Sequence, residues 1–454
     1  MNSKKYQMDM CSGPLFVKIL IFAIPLILSA NLQLLFNAAD MIVVGNYATT
    51  QAFAGIGVVA PVINLCVNLV MGISVGANVL VARFFGAGIK EDLKQAVNTS
   101  VIISVIMGCM VGLVAIVFSR PILVAMNTDA EVIEYSLLYI RIYFLGMPVA
   151  MLYNFGSAIL RAVGDTRRPL IILTVAGVIN VVLNLILVKY FNMSVAGVAI
   201  ATIVSQFISA LLVLRCLMTD DADYKVNIGE LKLNWRMFGR MLAIGLPASI
   251  QSMLFSFSNI LIQRSINEFG YVAAAGNTAC SSIEGFVYAS MNSVYQTNIS
   301  FSSQNYGSGQ IDRMKKSLFY CIGIVSVVGI VMGNLAYVFA RPLLSIYIDD
   351  LEAIEYGVVR MSVIGTTYLL CGIMDVIVGT LRALGRSILP MIVSLIGVCG
   401  LRIIWIYTYF KTHHTLSVLY MSYPITWGIT IIAHGLTVYI ITRKLWKKKE
   451  EIIA

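Results

Sequence analysis

The sequence predicts an all-α integral membrane protein, with twelve transmembrane helices arranged as two pseudo-symmetric six-helix bundles. Three observations predict it: an apolar composition, a succession of long apolar segments, and a second half that repeats the first. Of the 454 residues, 59% are hydrophobic and 12% charged, and the mean hydropathy is +0.86. A water-soluble globule carries about twice that charged fraction, so the bilayer is the expected solvent.

Apolar stretches of roughly 20 residues or more, the length that crosses about 30 Å of hydrocarbon, fall near 16–45, 52–82, 97–118, 132–163, 169–190, 194–217, 238–263, 272–302, 317–340, 353–384, 387–410 and 416–442. Backbone groups in hydrocarbon must find partners within their own segment or in a closed barrel. These stretches lack the apolar and polar alternation of a barrel, so they read as helices. The first is expected to stay as a span, since it is too long for a signal peptide and no small-residue cleavage site closes it. The longest polar connection runs from about Met218 to Arg236 and holds Asp220, Asp221 and Asp223. It reads as a linker (218–236) between a first bundle, 1–217, and a second, 237–454, with no soluble domain appended.

The repeat is carried by several signatures at one spacing. Leu160-Arg161-Ala162-Val163-Gly164 returns as Leu381-Arg382-Ala383-Leu384-Gly385, a shift of 221 (382 against 161). Phe118-Ser119-Arg120-Pro121 returns as Phe339-Ala340-Arg341-Pro342, Gly86-Ala87-Gly88 as Gly307-Ser308-Gly309, and Glu134-Tyr135 as Glu355-Tyr356, all at that shift. Repeated halves in a membrane chain argue for a transporter whose site lies where the repeats meet.

Basic residues set the expected topology. With the N-terminus inside, the cytoplasmic segments hold Lys4 and Lys5; Arg83, Lys90 and Lys94; Arg161, Arg167 and Arg168; Arg215, Lys225, Lys232, Arg236 and Arg240; Arg313, Lys315 and Lys316; Arg382 and Arg386; and Arg443, Lys444, Lys447, Lys448 and Lys449. The other side receives only Arg120, Lys189, Arg264, Arg341 and Lys411. Both termini are therefore expected in the cytoplasm. The net charge of +10 is accounted for by orientation and lipid headgroups, without nucleic acid. Eight cysteines contain no Cys-x-x-Cys pair and fall mostly within spans, where they read as small packing residues.

No Gly-x-x-x-x-Gly-Lys-Ser/Thr loop occurs and no segment is large enough for a nucleotide domain, so ATP is not the expected energy source. An ion gradient is. The three histidines, His413, His414 and His434, show no metal or nucleophile spacing, which argues against an enzyme.

An ionised side chain at the bilayer centre costs at least about 2.5–3.5 kcal/mol and must face a cavity or a partner. The acids within spans are Asp40, Glu284 and Asp375; the bases are Arg141, Arg360 and Arg402, with Lys18 able to snorkel. Arg141 and Arg360 hold similar places in the two halves, a few residues before Gly146 and Gly365. They read either as bonds to nearby carbonyls or as lining of a substrate cleft, together with Glu284 and Asp375. Asp40 lies near the outer end of the first span. Asn180 and Asn184 share one face of the fifth, and Thr202 sits about two turns into the sixth. At about 1.5 Å per residue Asp40, Asn184 and Thr202 share a depth, which suggests one buried polar cluster. Low dielectric favours the neutral acid, so Asp40 is expected to take a proton from outside and release it inward. Pro25 interrupts the same helix and Pro247 takes the matching place in the seventh span, each permitting a bend.

These residues carry a resemblance. Ile24-Pro25 and Leu246-Pro247, Asp40-x4-Gly45, Leu160-Arg161-Ala162-Val163-Gly164-Asp165-Thr166-Arg167 and Gly197-Val198-Ala199-Ile200-Ala201-Thr202, in this order and with the 221-residue repeat, make the chain similar to multidrug and toxin extrusion (MATE) family transporters over nearly its whole length. The resemblance implies two six-helix bundles facing across a V-shaped cleft, alternating access, and export of bulky cationic or amphiphilic compounds from the cell in exchange for H+ or Na+. It implies no cofactor beyond the coupling ion. It also implies a cation site, possible for Na+, at Asp40, Asn180, Asn184 and Thr202.

Two departures stand out. One branch of the family has an aspartate where this chain has Asn184, which lowers the local charge. Another has a glutamate in the seventh span, where this chain reads Gln251-Ser252-Met253-Leu254-Phe255-Ser256. Any acid of the second half must then be Glu284 or Asp375. The 22 methionines, 22 tyrosines and 20 phenylalanines supply adaptable surface for lipophilic cations. The rival reading is a flippase for a lipid-linked oligosaccharide or peptidoglycan precursor, whose anionic cargo calls for several arginines. A non-transporting scaffold has no use for the repeat with acids in both halves. The expected form is a monomer in the plasma membrane, with small molecules and lipid as its partners.

Overall fold

The computed structural model describes residues 6–220 and 222–453, with side chains as far as 444. Lys4, Lys5 and Asp221 lie outside the described residues, as do the side chains of Lys447, Lys448 and Lys449. All regular structure among them is helical. In chain order the α-helices are α1 Leu15–Tyr47, α2 Thr50–Ala87, α3 Lys90–Ala125, α4 Ala130–Leu145, α5 Met147–Ala162, α6 Arg167–Asn184, α7 Ser194–Thr219, α8 Trp235–Asn267, α9 Tyr271–Gly307, α10 Ile311–Val338, α11 Ala340–Leu344, α12 Leu351–Arg360, α13 Leu369–Ala383, α14 Ile388–Ser394, α15 Leu401–Trp405 and α16 Leu416–Ile453. Wide π turns extend α6 through Tyr190, extend α12 through Gly365, and join α14 and α15 into one rod ending at Phe410.

Each expected span is a helix. Among the described residues nine are long and apolar enough to cross a membrane, and α4 with α5 and α12 with α13 make eleven as bent pairs. The remaining one, α9, has the length but is too polar to qualify by composition. It is nonetheless largely buried, and Ser281, Ser290, Ser293 and Thr297 each donate their hydroxyl to the carbonyl four residues back. That satisfies these four hydroxyls within the helix itself.

The backbone obeys the repeat found in the sequence. The α4–α5 pair bends by 48° and the α12–α13 pair by 44°. Behind each bend sits a Gly-x-x-x-Gly step: Gly108 and Gly112 of α3 lie against Pro148 and Phe144, and Gly329 and Gly333 of α10 against Leu369 and Gly365. Every one of these positions recurs 221 residues on (329 against 108, 369 against 148). A Cβ at any of the four would run into backbone of the bent pair, so glycine here permits close helix approach. Gly88 (φ 69°) and Gly309 (φ 75°), and Gly164 (φ 97°) and Gly385 (φ 76°), are likewise pairs at that spacing, all in the left-handed region that other residues rarely occupy.

Packing divides the chain into two units, Met1–Asp9 with Leu28–Ser249, and Met10–Ile27 with Ile250–Ala454. This differs from the expected cut at 217 and 237. The boundaries fall inside α1 and α8, two residues after Pro25 and Pro247 respectively, so each proline helix contributes its first part to one unit and its remainder to the other. In the first unit Gly72 and Gly76 of α2 lie against Met241, Gly245 and Ser249 of α8, and the Ser249 hydroxyl donates to the Leu69 carbonyl. In the second, Phe22 of α1 meets Phe301 of α9 edge to face, ring centroids 5.6 Å apart. Asn78 bonds the Ala158 carbonyl at 2.9 Å in the first unit, and Asn298 bonds the Val376 carbonyl at 2.7 Å in the second.

The connection after α7 is built into the first unit. Asp165 accepts the backbone N–H groups of Arg167 and Arg168, both at 3.1 Å, which caps α6. Its other oxygen pairs with the Arg168 guanidinium, which grips Asp220 through two bonds of 2.8 and 2.7 Å. Tyr224 donates to Asp220 and accepts from Gln7, both at 2.7 Å. Burial, reinforced by the bond to Asp220, pushes the Tyr224 hydroxyl well above its ordinary range and keeps it a donor. In the second unit Arg313 bonds the carbonyls of Met10, Ser12 and Gly13 at 3.0, 2.5 and 3.0 Å.

Candidate functional site

The first unit holds a polar cavity of about 120 Å³ among otherwise apolar helices. Asp40 of α1 lines it with Asn180 of α6 and Thr202 of α7, and Asp40 is its single carboxylate. The Asn184 amide nitrogen donates to Asp40 and lies 3.4 Å from the Asn180 side-chain oxygen. The four residues of the implied cation site are thus brought together: Asn180 and Asn184 are buried, Asp40 and Thr202 half-buried. The Thr202 hydroxyl donates to the Val198 carbonyl at 2.9 Å, which leaves its oxygen lone pairs facing outward from its own helix. Asn184 Oδ1 is buried and has no hydrogen-bond partner among the described residues. An acceptor so placed is open to a proton donor or to a small cation.

The rest of the lining also carries a signal in the sequence. Gln33, Asn37 and Asp40 follow one another at three- and four-residue steps on α1, as do Thr202, Ser205 and Ser209 on α7, and Tyr153 and Asn154 complete the wall from α5. Polar residues at helical spacing within apolar segments were the signal.

The second unit arranges its charges differently from the expectation. Arg360 bonds a carboxylate rather than backbone carbonyls: Nε and Nη2 donate to the two oxygens of Glu284 at 3.0 and 2.6 Å, and Nη1 donates to Asn277 at 2.6 Å. The pair is almost wholly buried. Glu284 is therefore neutralised within its own unit, one turn after Cys280 on α9. The reason is helix rotation, which sequence does not reveal: α9 and α12 turn these two residues toward each other. Arg141, expected to match Arg360, is exposed instead. Arg402 stacks 3.9 Å over the Tyr423 ring, and Nη1 lies 3.3 Å from Asn259. Asp375 on α13 has no ion pair among the described residues. Below it on the same helix, Arg382 bonds Tyr295 and, at 2.9 Å, Gln251, which continues at 3.2 Å to Ser394 and from there at 3.0 Å to His434.

The MatE family profile matches this chain twice, over residues 25–186 and 247–408, with both bounds displaced by 222 (247 against 25, 408 against 186). The chain belongs to the MatE family. Each match falls in one half and begins at Pro25 or Pro247, the prolines of α1 and α8. The probable multidrug resistance protein YoeA of Bacillus subtilis is 27% identical over 440 residues, 95% of this chain and 94% of that one. A FAD transporter of Shewanella oneidensis is 23% identical over 85% of this chain and 86% of its own. A solved structure described as the outward-facing conformation of a multidrug resistance MATE family transporter superposes with a TM-score of 0.90 at 19% identity, covering 98% of this chain and 100% of that one. That likeness shows the fold. As a MatE protein the chain is a multi-pass membrane transporter and not an enzyme.

Proposed function

We propose that this MatE protein exports lipophilic, cationic compounds across the plasma membrane in exchange for H+, with Asp40 carrying the proton. The observation that supports this most is the polar cavity of the first unit with Asp40 as its single carboxylate. When ionised, Asp40 accepts from Asn184; a proton removes the one formal charge of the lining, and in a low-dielectric surrounding that change is worth several kcal/mol. Asp40 lies fifteen residues after Pro25 on α1, roughly 22 Å along the helix. A proline break permits bending, so charge loss at Asp40 can alter how the later part of α1 packs while its first part stays with the second unit.

Na+ is the second reading, favoured by the buried Asn184 Oδ1, which has no hydrogen-bond partner among the described residues, and by the oxygens that Asn180 and Thr202 bring to the cavity. Against it, the Asn184 amide turns its nitrogen, a donor, toward Asp40. For cargo, the name of YoeA supports multidrug export, while the FAD transporter is a relative with an anionic cargo. A flippase for a lipid-linked oligosaccharide or peptidoglycan precursor needs cations committed to its headgroup. Arg360 is already committed to Glu284, and Arg402 to the Tyr423 ring.

Efflux of a fluorescent lipophilic cation from oriented vesicles, under an imposed pH gradient or an imposed Na+ gradient, tests the proposal. The pH gradient alone should drive transport, and Asp40→Asn should abolish it while the protein still inserts. Export at the wild-type rate by Asp40→Asn, or drive by Na+ alone, would overturn it. The distribution of basic residues further supports a cytoplasmic location for both termini and the linker. Labelling from outside intact cells should then miss Lys225→Cys and reach Lys411→Cys; the reverse pattern would refute that topology.

A further inference from the structure

On α13 two opposite charges share one face. Asp375 and Arg382 stand seven residues apart, about two turns and roughly 10 Å along the axis, and helical side chains lean toward the N-terminus, so Arg382 leans toward Asp375. They do not pair. Asp375 is half-buried and has no ion pair among the described residues, while the buried guanidinium is held by neutral oxygens: Nη1 donates to the Tyr295 hydroxyl of α9 and Nη2 to Gln251 Oε1 of α8 at 2.9 Å. Nε is buried with no hydrogen-bond partner. A carboxylate is a stronger partner for a guanidinium than a neutral oxygen, so the surrounding helices, and not the best pairing of Arg382, set its position.

Gln251 is itself fixed. Because a guanidinium only donates, the amide must turn its oxygen to Arg382 and its nitrogen to Ser394 Oγ, 3.2 Å away, and Ser394 passes its own proton to His434 Nε2 at 3.0 Å. Ser394 of α14 and His434 of α16 are fully buried, and every residue of this chain of bonds belongs to the second unit. The repeat shows what the arrangement accompanies. At the 221-residue spacing Arg382 matches Arg161, but Asp375 matches Asn154 and Ser394 matches Leu173 (375 against 154, 394 against 173). The arginine occurs in both halves, and the acid and the hydroxyl that backs Gln251 in one. We propose that Gln251, with Ser394 and His434 behind it, is a positioning residue that holds Arg382 off Asp375 and so keeps that carboxylate open to the positive group of the cargo. The cargo's charge rests on the export proposal; the placing of Arg382 does not.

Two readouts on the full-length protein in lipid vesicles separate these parts. A hydrophobic carbodiimide couples to carboxyl groups that are not held in an ion pair, and peptide mass spectrometry reads the adduct at Asp375. The wild type should be labelled. Gln251→Leu frees Arg382 to pair with Asp375 and should lose most of the label, Ser394→Ala should lose part of it, and Gln251→Leu with Arg382→Gln should regain it. In transport of a matched cationic and neutral pair, Gln251→Leu should raise the half-saturating concentration of the cation roughly tenfold, with little change in its maximal rate or in the neutral compound. Gln251→Glu restores an oxygen acceptor and should rescue the cation. A merely structural role would move both compounds and would not be relieved by removing Arg382. No label on wild-type Asp375, or undiminished label in whichever of Gln251→Leu and Ser394→Ala folds, would overturn the positioning role whatever the cargo. Label that falls as expected, in a protein whose wild type does not favour the cation, would uphold the positioning of Arg382 and overturn the export reading.

Discussion

Arg360 holds Glu284 through two parallel bonds of 3.0 and 2.6 Å and spends its remaining amino group on Asn277 at 2.6 Å. Such a pair is worth little against an apolar replacement of the whole, but losing one partner strands a charge in a dry interior. Arg360→Met and Glu284→Gln should each destabilise the protein by about 3–5 kcal/mol, and the two together by less than either alone. Thermal unfolding in detergent, read as a double-mutant cycle, measures the coupling. Additive losses would mean the two side chains act independently.

A second expectation concerns the donor beside Asp40. Asn184→Asp exchanges a neutral amide for a second carboxylate at hydrogen-bonding distance, and two like charges in contact need a proton or a cation between them. Efflux by this variant should become stimulated by Na+ at fixed pH, a response the wild type is expected to lack. Transport that stays indifferent to Na+ in Asn184→Asp would show that the oxygen set cannot hold the ion.

The fold was legible because its causes are local or periodic. Hydropathy marks each span, glycines recur at 221 residues because each half needs the same close approach, and Pro25 and Pro247 stand 222 apart at matching places of α1 and α8. The Asp40 cluster was legible for a related reason: polar side chains at one depth in an apolar chain have few partners to choose from. Rotation of a helix about its axis was not legible. Nothing in the order of residues states that Arg360 faces Glu284 while Arg141 is exposed, and α9, apolar on no single face, hides its burial behind a polar composition. Nor does the sequence show that α1 and α8 divide their packing just past the prolines. That outcome depends on tertiary contacts such as Phe22 with Phe301 and Gly245 with α2.

The glycine steps behind the two bends give a prediction that is equal in both halves. Gly112→Leu and Gly333→Leu place side chains against the carbonyls of Phe144 and Gly365, and overpacking of this kind costs about 1–3 kcal/mol or more. Both variants should lose thermal stability and yield by similar amounts. Gly57→Leu is the control, because a side chain there meets nothing within 4 Å. A strong effect in one half only would show that the bends are not equivalent.

With Glu284 locked to Arg360, Asp375 is the remaining acid within the spans of the second unit, and the export proposal assigns it to cationic cargo. It has no ion pair among the described residues. Direct contact between unit charges at an effective dielectric of about 20 is worth roughly 4 kcal/mol, and a separation of several ångströms or a water layer lowers that severalfold. Asp375→Asn should therefore raise the concentration needed for half-maximal transport of cationic compounds by roughly tenfold, about 1.4 kcal/mol, and leave neutral compounds nearly unchanged. Arg360→Ala should act instead through folding yield, lowering transport of every substrate alike. Vesicle transport of a matched cationic and neutral pair, normalised to the amount of folded protein, separates these outcomes. If Asp375→Asn weakens both compounds equally, its role is structural. If well-folded Arg402→Gln abolishes transport while Asp375→Asn leaves it intact, the cargo is anionic and the cation-export reading fails.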